Sequence, residues 1–442
     1  MRITYLVHQF LPNYFTGTEQ YCYAIAQAMQ ERGHDVEVLA LEPDFSETEP
    51  FFESTRETIE GLPVQRLRTW MHLDRDFERM EWSHPFLTEQ VRRHLEARRP
   101  DVVHAFHLRY LGAPILDVAR SLGARVFLHL MDFWLLCPQV TLRRADGELC
   151  EGPPENGLGC MDCVRPGLRR ELSFDRTGDE LARLASIWPA DAEVPPGRVG
   201  RALGLVSRPK ELRRAVLANA TKIWAPSAFL KQAFVQNGWP ESRIDVLRYG
   251  VDPARVGDAA DRHTPARKLR CAFVGSLSEH KGTQVAVDAV LAAGPEVELT
   301  LHGRETDFPD YSRALRQRIG DDPRVRFAGP FERDRLSDVL ATTDLLIAPS
   351  LWYENTPFVV LEAQMARVPV AVSDLGGMSE IVQDGTNGLV FPAGDSASLA
   401  ERLRGLVADR NQLSGLREAA PMVKTLQANV SEIEAAQLAT LN

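Results

Sequence analysis

An alternation that fills the second half of the chain narrows the fold most. Short apolar runs, LRCAFVG, VELTLHG, VRFAG, DLLIAPS, PVAVSD and GLVF, are separated by helical segments after Lys281-Gly282, near Tyr311 to Ile319, near Arg333 to Ala341 and from Pro357 onward. Strands joined through helices pair in parallel, and a parallel sheet is covered on both faces. The first half repeats the pattern less regularly. Strands are expected at Arg2 to His8, Asp35 to Leu41, Asp101 to His107, Arg125 to Trp134, KIWAPS and Asp245 to Gly250, with a short one near Val64 to Arg68. Helices are expected at about Glu19 to Arg32, Pro85 to Arg98 and Leu111 to Leu122. The fold class is α/β, with two doubly wound halves facing each other across a cleft, and 442 residues suffice for both.

The expected divisions are a first domain over 1–250, a linker over 251–268, a second domain over 269–425 and a C-terminal stretch over 426–442. The linker VDPARVGDAADRHTPARK is polar with two prolines, and the amphipathic last helix, about Gln427 to Leu441, packs back on the first domain. Inside the first domain lie an irregular cysteine-bearing insertion, 137–163, and an arginine-rich helical connector, 164–219.

The formal charge of −10 argues against general nucleic-acid binding. No run is as long as a membrane span, and MRITYLVHQF lacks the layout of a signal peptide. The expectation is a cytoplasmic protein, with Arg165, Arg169, Arg170, Lys210, Arg213 and Arg214 as candidates for peripheral contact with the inner face of the membrane. For any single one of these, a solvated helix face is the plainer reading.

Open α/β sheets bind ligands beyond the carboxyl ends of their strands. In the second half Gly275-Ser276, Gly303-Arg304, Gly329, Ser350 to Pro357 and Asp374 to Gly377 all fall there. After DLLIAPS, Asn355 or Thr356 suits a helix N-cap and Pro357 the first helical position, which turns the amides of Phe358 and Val359 outward as an anion site. Lys281 suits a diphosphate counter-charge, Glu362 a bidentate grip on ribose hydroxyls and Glu354 the hydroxyls of a sugar. Acids stabilising a helix start are the alternative, but Glu362 follows FVVL, where burial without a partner would be costly. In the first half Gly17 lies in a loop open to close backbone approach, and His107, His129 and Asp132 stand near strand ends.

Cys137, Cys150, Cys160 and Cys163 crowd one segment of low apolar content. One CxxC pair with two further cysteines leaves two alternatives open, a structural zinc held by four thiolates or reduced, unliganded thiols.

LWYENTPFVVLEA, with two glutamates separated by seven residues, resembles the signature of retaining glycosyltransferases of family 4, whose fold is GT-B. FVGSLSEHKG, HGRE, SDLGGMSEIVQDGTNGLVFPAGD, APSAFLKQAFVQNG and NYFTGTEQYCYAIAQAMQERGHDVEVL are similar to family segments. The resemblance covers nearly the whole chain and is strongest from Ala225 to Leu403. It implies a nucleotide-sugar donor (UDP-, GDP- or dTDP-linked), a saccharide or lipid-linked acceptor and no required cofactor. By position, Lys281 would bind the donor diphosphate, Glu362 the ribose, Glu354 the transferred sugar, Asn355 to Phe358 phosphate or sugar oxygens, and Gly17 the donor phosphates from the first domain.

WYEN-T-P and DFWLLCP look like a bacterial subgroup acting on surface polysaccharides. Two departures stand out. Ser276 occupies a position where many members have arginine, with Arg304, His280 or a first-domain arginine as candidate replacements, and Met131-Asp132 stands where a His-Asp pair often occurs. Catalytic roles therefore fall to Glu354 and Asp132, with His107 and His129. These departures also motivate a rival reading, a non-catalytic glycan- or nucleotide-binding subunit on the same fold. A sugar-nucleotide epimerase is a rival within enzymes, as is a glycan phosphorylase, although no pyridoxal-binding lysine context is present.

Overall fold

A computed structural model describes residues 1–71, 77–153, 157–164, 166–171, 198–264, 266–332 and 335–441. The middle of the expected connector, 172–197, lies outside the described residues, as do Arg165 and the Arg169 side chain. The chain forms two units: Met1–Pro226 with Leu230–Leu247 and Val430–Asn442, and Ser227–Phe229 with Arg248–Asn429.

The first unit is built on a sheet that has, among the described residues, eight strands: β1 (Arg2–Val7), β2 (Asp35–Asp44), β3 (Phe52–Ile59), β4 (Leu62–Trp70), β5 (Val102–Ala105), β6 (Arg125–His129), β7 (Lys222–Ala225) and β8 (Ile244–Val246). Their order is β3-β4-β2-β1-β5-β6-β7-β8. Strand β1 carries five consecutive buried residues, as a strand covered on both faces must. The hairpin of β3 and β4 was not legible in the sequence. FESTRETI buries almost nothing, because it is the antiparallel edge strand, and Glu60-Gly61 makes the turn with both φ angles positive (47° and 86°).

The C-terminal helix, Leu426–Leu438, belongs to the first unit from Val430 on. Val430 and Ile433 are fully buried, Glu434 pairs with Arg32 at 2.6 Å and His34 at 2.7 Å, and Gln437 Nε2 lies 3.2 Å from His104 Nδ1.

The second unit has a parallel sheet in the order β11-β10-β9-β12-β13-β14. Its strands are β9 (Leu269–Val274), β10 (Val297–His302), β11 (Val325–Phe327), β12 (Leu345–Ala348), β13 (Val370–Ser373) and β14 (Leu389–Phe391). One face alternates Leu269, Cys271, Phe273 with Val297, Leu299, Leu301, and packs in one core with the helices Thr283–Ala293 and Ser396–Ala408. Burying each of these large side chains contributes roughly 1.5–3 kcal/mol, so this face fixes the register that sets the carboxyl edge. The segment expected as linker carries two short helices, Pro253–Val256 and Ala259–Arg262, within the second unit.

Candidate active site

In the second unit, chain reversals beyond β9, β12 and β13 place the polar groups. After β9 a 3₁₀ turn, Glu279–Lys281, ends at Gly282, whose left-handed φ of 71° brings it against Pro349: a Cβ there would stand 1.8 Å from the Pro349 carbonyl oxygen. The Leu351 amide donates to the His280 carbonyl at 2.8 Å, so the loops after β9 and β12 are tied together. Lys281 thereby reaches the loop after β12. Its Nζ lies 2.6 Å from Glu354 Oε1, which also accepts from Trp352 Nε1 at 2.8 Å and Ser350 Oγ at 2.9 Å. Lys281 Nζ also sits 4.9 Å from the centroid of the Trp352 ring, a cation–π contact. Burial pushes the Glu354 carboxyl up, but the Lys281 charge and the hydrogen bonds from Lys281, Trp352 and Ser350 outweigh it and hold the group below the ordinary carboxylate range. All three donors end on Oε1.

The helix Phe358–Met365 starts one residue later than expected. Pro357 is its N-cap, with extended ψ of 125°, and neither Asn355 nor Thr356 caps it; Thr356 Oγ1 donates to the Asn355 carbonyl at 2.7 Å instead. The helix start bears no side-chain cap, and Phe358 stacks on Tyr249 with centroids 4.7 Å apart.

Glu362, in the second turn of this helix, is buried, and Arg255 from the helix Pro253–Val256 lies 3.1 Å from its Oε1. Sequence reasoning missed Arg255, although the cost of burying Glu362 was the signal that a partner had to exist. Gly275 donates its amide to His302 at 3.0 Å, and a Cβ at Gly303 would stand 2.3 Å from the Gly275 oxygen, so these glycines join the ends of β9 and β10. Ser276 is half-buried beside them, and Arg304 is exposed.

In the first unit His107 follows β5 and Asp132 follows β6, and the structure brings them together: His107 Nε2 is 2.9 Å from Asp132 Oδ2. The Arg109 amide donates to His107 Nδ1 at 3.2 Å, which assigns the proton to Nε2 and makes it the donor to Asp132. Asp132 Oδ1 accepts from the Trp134 amide at 2.8 Å. The Trp134 indole donates to Glu81 at 2.6 Å, and buried Arg208 bridges Glu81 and the Trp134 carbonyl, so the segment after β6 is held on both sides.

His8 was also missed. It ends the first apolar run, and its ring lies 4.0 Å from that of His107; burial first, and then the proximity of His107 and Arg109, pushes its pKa well down. Gly17 opens the helix Gly17–Glu31, with Thr16 as N-cap and Glu19 reaching back to the Thr16 amide at 2.8 Å.

His129 does not join Asp132. It is 1% exposed, its Nδ1 lies 2.8 Å from His104 Nε2, its ring stacks on Phe106, and burial lowers its pKa to about 3. Strand β6 ends at His129, and Asp132 lies in the segment beyond it.

Cys137, Cys150 and Cys160 are buried, Cys163 is half-buried, and all are free thiols. Burial first, and then Cys137, Cys163 and Cys150, push the Cys160 thiol up to about 12. Among the described residues no three His, Cys, Asp or Glu side chains are grouped to hold a metal ion, so the zinc expectation finds no ligand set.

A family model described as glycosyl transferase 4-like domain matches residues 16–250, and one described as glycosyl transferases group 1 matches 268–409. A D-inositol 3-phosphate glycosyltransferase of Nocardia farcinica is 30% identical over 271 residues, covering 57% of this chain and 58% of that protein. An alpha-maltose-1-phosphate synthase of Mycobacterium tuberculosis is 30% identical over 186 residues, 38% of this chain and 48% of that one. The chain thus spans about half the length of the curated relatives it matches. Among solved structures, Anabaena HepE in complex with UDP and glucose superposes with a TM-score of 0.64 at 19% identity over the full length of both chains. A sucrose-phosphate synthase of Thermosynechococcus elongatus gives 0.69 at 17%, again over both full lengths. At such identities these two likenesses establish the fold, two Rossmann-like α/β domains of the GT-B type.

Proposed function

The chain belongs to the glycosyl transferase 4-like family, and from that premise we propose that it is a retaining glycosyltransferase moving a sugar from a nucleotide-sugar to a saccharide or lipid-linked acceptor. The observation that carries this reading is the Lys281–Glu354 pair beyond the strand ends, followed at once by the helix Phe358–Met365, which has no side-chain cap and bears the buried Glu362. A cation and outward amides serve a diphosphate, and two carboxylates serve hydroxyls; a nucleotide-sugar carries both.

In this reading Lys281 and the amides of Phe358 and Val359 hold the diphosphate, with exposed Arg304 replacing the arginine that Ser276 lacks. Glu362 grips the ribose. With Oε1 saturated by Lys281, Trp352 and Ser350, Glu354 turns Oε2 toward the hydroxyls of the transferred sugar. As the glycosidic bond breaks, negative charge grows on the leaving diphosphate, where preorganised donors lower the barrier. The acceptor hydroxyl attacks from the same face and passes its proton to the leaving phosphate, retaining the configuration. In the first unit Asp132, fixed by His107 and the Trp134 amide, orients hydroxyls, and Gly17 lets phosphate approach the backbone.

WYEN-T-P and DFWLLCP support a role in bacterial cell-surface polysaccharide synthesis on the cytoplasmic side of the membrane. Among the described residues no helix is long and apolar enough to cross a membrane.

The test is turnover of UDP-, GDP- and dTDP-sugars by the whole protein, with anomeric configuration read by NMR. Transfer or hydrolysis of one donor with retention is expected, and an inverted product overturns the mechanism. Ser276 favours one second reading, a non-catalytic nucleotide-binding subunit. Nucleotide binding without turnover of any donor would select it.

A further inference from the structure

Glu362 is 5% exposed, and a buried carboxylate with no counter-charge protonates or unfolds its surroundings. Its counter-charge is Arg255, whose guanidinium lies 3.1 Å from Oε1. Arg255 comes from the segment just after β8, read in the sequence as a linker. There it is placed by a cap that leaves little freedom: Asp252 accepts from the Ala254 amide at 3.0 Å, and Pro253 opens the turn. The Arg255 side chain is 24% exposed, so most of it is packed inside beside the carboxylate.

We infer that Arg255 is a positioning residue for the donor's ribose: it holds the buried Glu362 carboxylate ionised and at one rotation, ready to accept two vicinal hydroxyls. This rests on the assignment of Glu362 to the ribose. An ionised carboxylate offers about four lone-pair directions; Arg255 takes one on Oε1, and a 2′- and a 3′-hydroxyl need two others. A neutral carboxylic acid would instead present one donor and lose the bidentate grip. Recognition of ribose over 2′-deoxyribose is therefore set by Arg255 through Glu362, although Arg255 itself touches no ligand atom.

A purely structural arginine would affect both kinds of sugar alike, and this separates the two roles. UDP, GDP and ADP, each beside its 2′-deoxy counterpart, are titrated calorimetrically into the intact protein, with thermal midpoints of every variant measured alongside. Wild type is expected to prefer one ribonucleotide over its deoxy form by about tenfold or more, the loss typical of one hydrogen bond to a charged group. Glu362→Gln and Arg255→Gln should both collapse that ratio toward one, and Arg255→Lys should restore part of it. In turnover, Arg255→Gln should raise KM with kcat within about twofold, the signature of lost ground-state binding.

If Arg255→Gln keeps the ratio while Glu362→Gln abolishes it, the positioning role is wrong and the ribose assignment stands. If Glu362→Gln leaves the ratio intact, or wild type shows no preference, the ribose assignment itself fails. A fall in affinity that is equal for ribo- and deoxynucleotides assigns Arg255 to stability alone and overturns the inference.

Discussion

Lys281 Nζ stands 2.6 Å from Glu354 Oε1, so a cation and a carboxylate that would serve different parts of one ligand neutralise each other directly. Glu354 is 8% exposed, and removal of one partner strands the other charge. Lys281→Met is expected to cost about 3–5 kcal/mol of stability, as breaking buried ion pairs does. Glu354→Gln should cost less, because Trp352 and Ser350 still meet an oxygen and Lys281 is more exposed. In Lys281→Met/Glu354→Gln the loss should be smaller than in Lys281→Met alone. Urea unfolding of the four proteins measures the coupling, and strictly additive losses would contradict it.

The His107–Asp132 contact supplies an imidazole to the aspartate from a neighbouring strand, where the sequence has methionine directly before Asp132. Asp132→Asn should lower kcat by about 10²–10⁴ with little change in nucleotide affinity, in line with losing a positioned polar group at the reaction. His107→Gln, which can still donate to Asp132, should lose less than His107→Ala. Steady-state kinetics beside nucleotide titrations check both; equal effects of the two His107 variants would remove the orienting role.

Much of this arrangement was legible before any coordinates. The strands of the second sheet and the carboxyl-edge position of Lys281, Glu354 and Glu362 follow from short apolar runs whose period and punctuation are unambiguous. What was not legible depended on partners distant in the chain. Arg255 meets Glu362 across 107 positions of sequence, which no local pattern announces. The rings of His8 and His107 meet because β1 and β5 are neighbours in the sheet. The edge strand β3 escaped because an exposed strand has no hydrophobic alternation to read. His129 misled because a histidine at a strand end reads the same in sequence whether it opens on a site or, as here, is buried against His104 and Phe106.

His104 and His129 make stability depend on acidity. Burial lowers both, His129 to about 3 from an ordinary 6.5. Between those values the unfolded chain binds a proton that the folded His129 refuses. Its contribution is therefore complete above pH 6.5 and shrinks as pH falls toward 3, by up to about 1.4 kcal/mol per pH unit. Glu354 acts in a lower window: its folded value lies below the ordinary 4.5, so its contribution is present above 4.5 and is lost as pH falls through the folded value. Thermal midpoints at pH 7.5, 6 and 5 should drop steadily for wild type and less steeply for His129→Gln. Parallel profiles would locate the acid sensitivity elsewhere.

The loop that carries Glu354 is confined from its other side by Gly377, whose amide donates to the Glu354 carbonyl at 2.6 Å. A Cβ on Gly377 would stand 1.7 Å from the Asn355 carbonyl oxygen, a backbone atom that cannot rotate away. Gly377→Ala must therefore displace residues 354 to 357, shifting Glu354 and the helix start together. The expected result is a rise of about tenfold or more in KM for the donor, together with a lower thermal midpoint, because misplacing a positioned group by about 1 Å costs on the order of 10²-fold in rate. Gly405→Ala is the matched control. Gly405 lies within the helix Ser396–Ala408 with nothing inside 4 Å of an added Cβ, so the same change should raise stability by about 0.5–1 kcal/mol and leave kinetics unchanged. Wild-type KM in Gly377→Ala would show that the 354–357 loop tolerates displacement, and the donor site would then not depend on this contact.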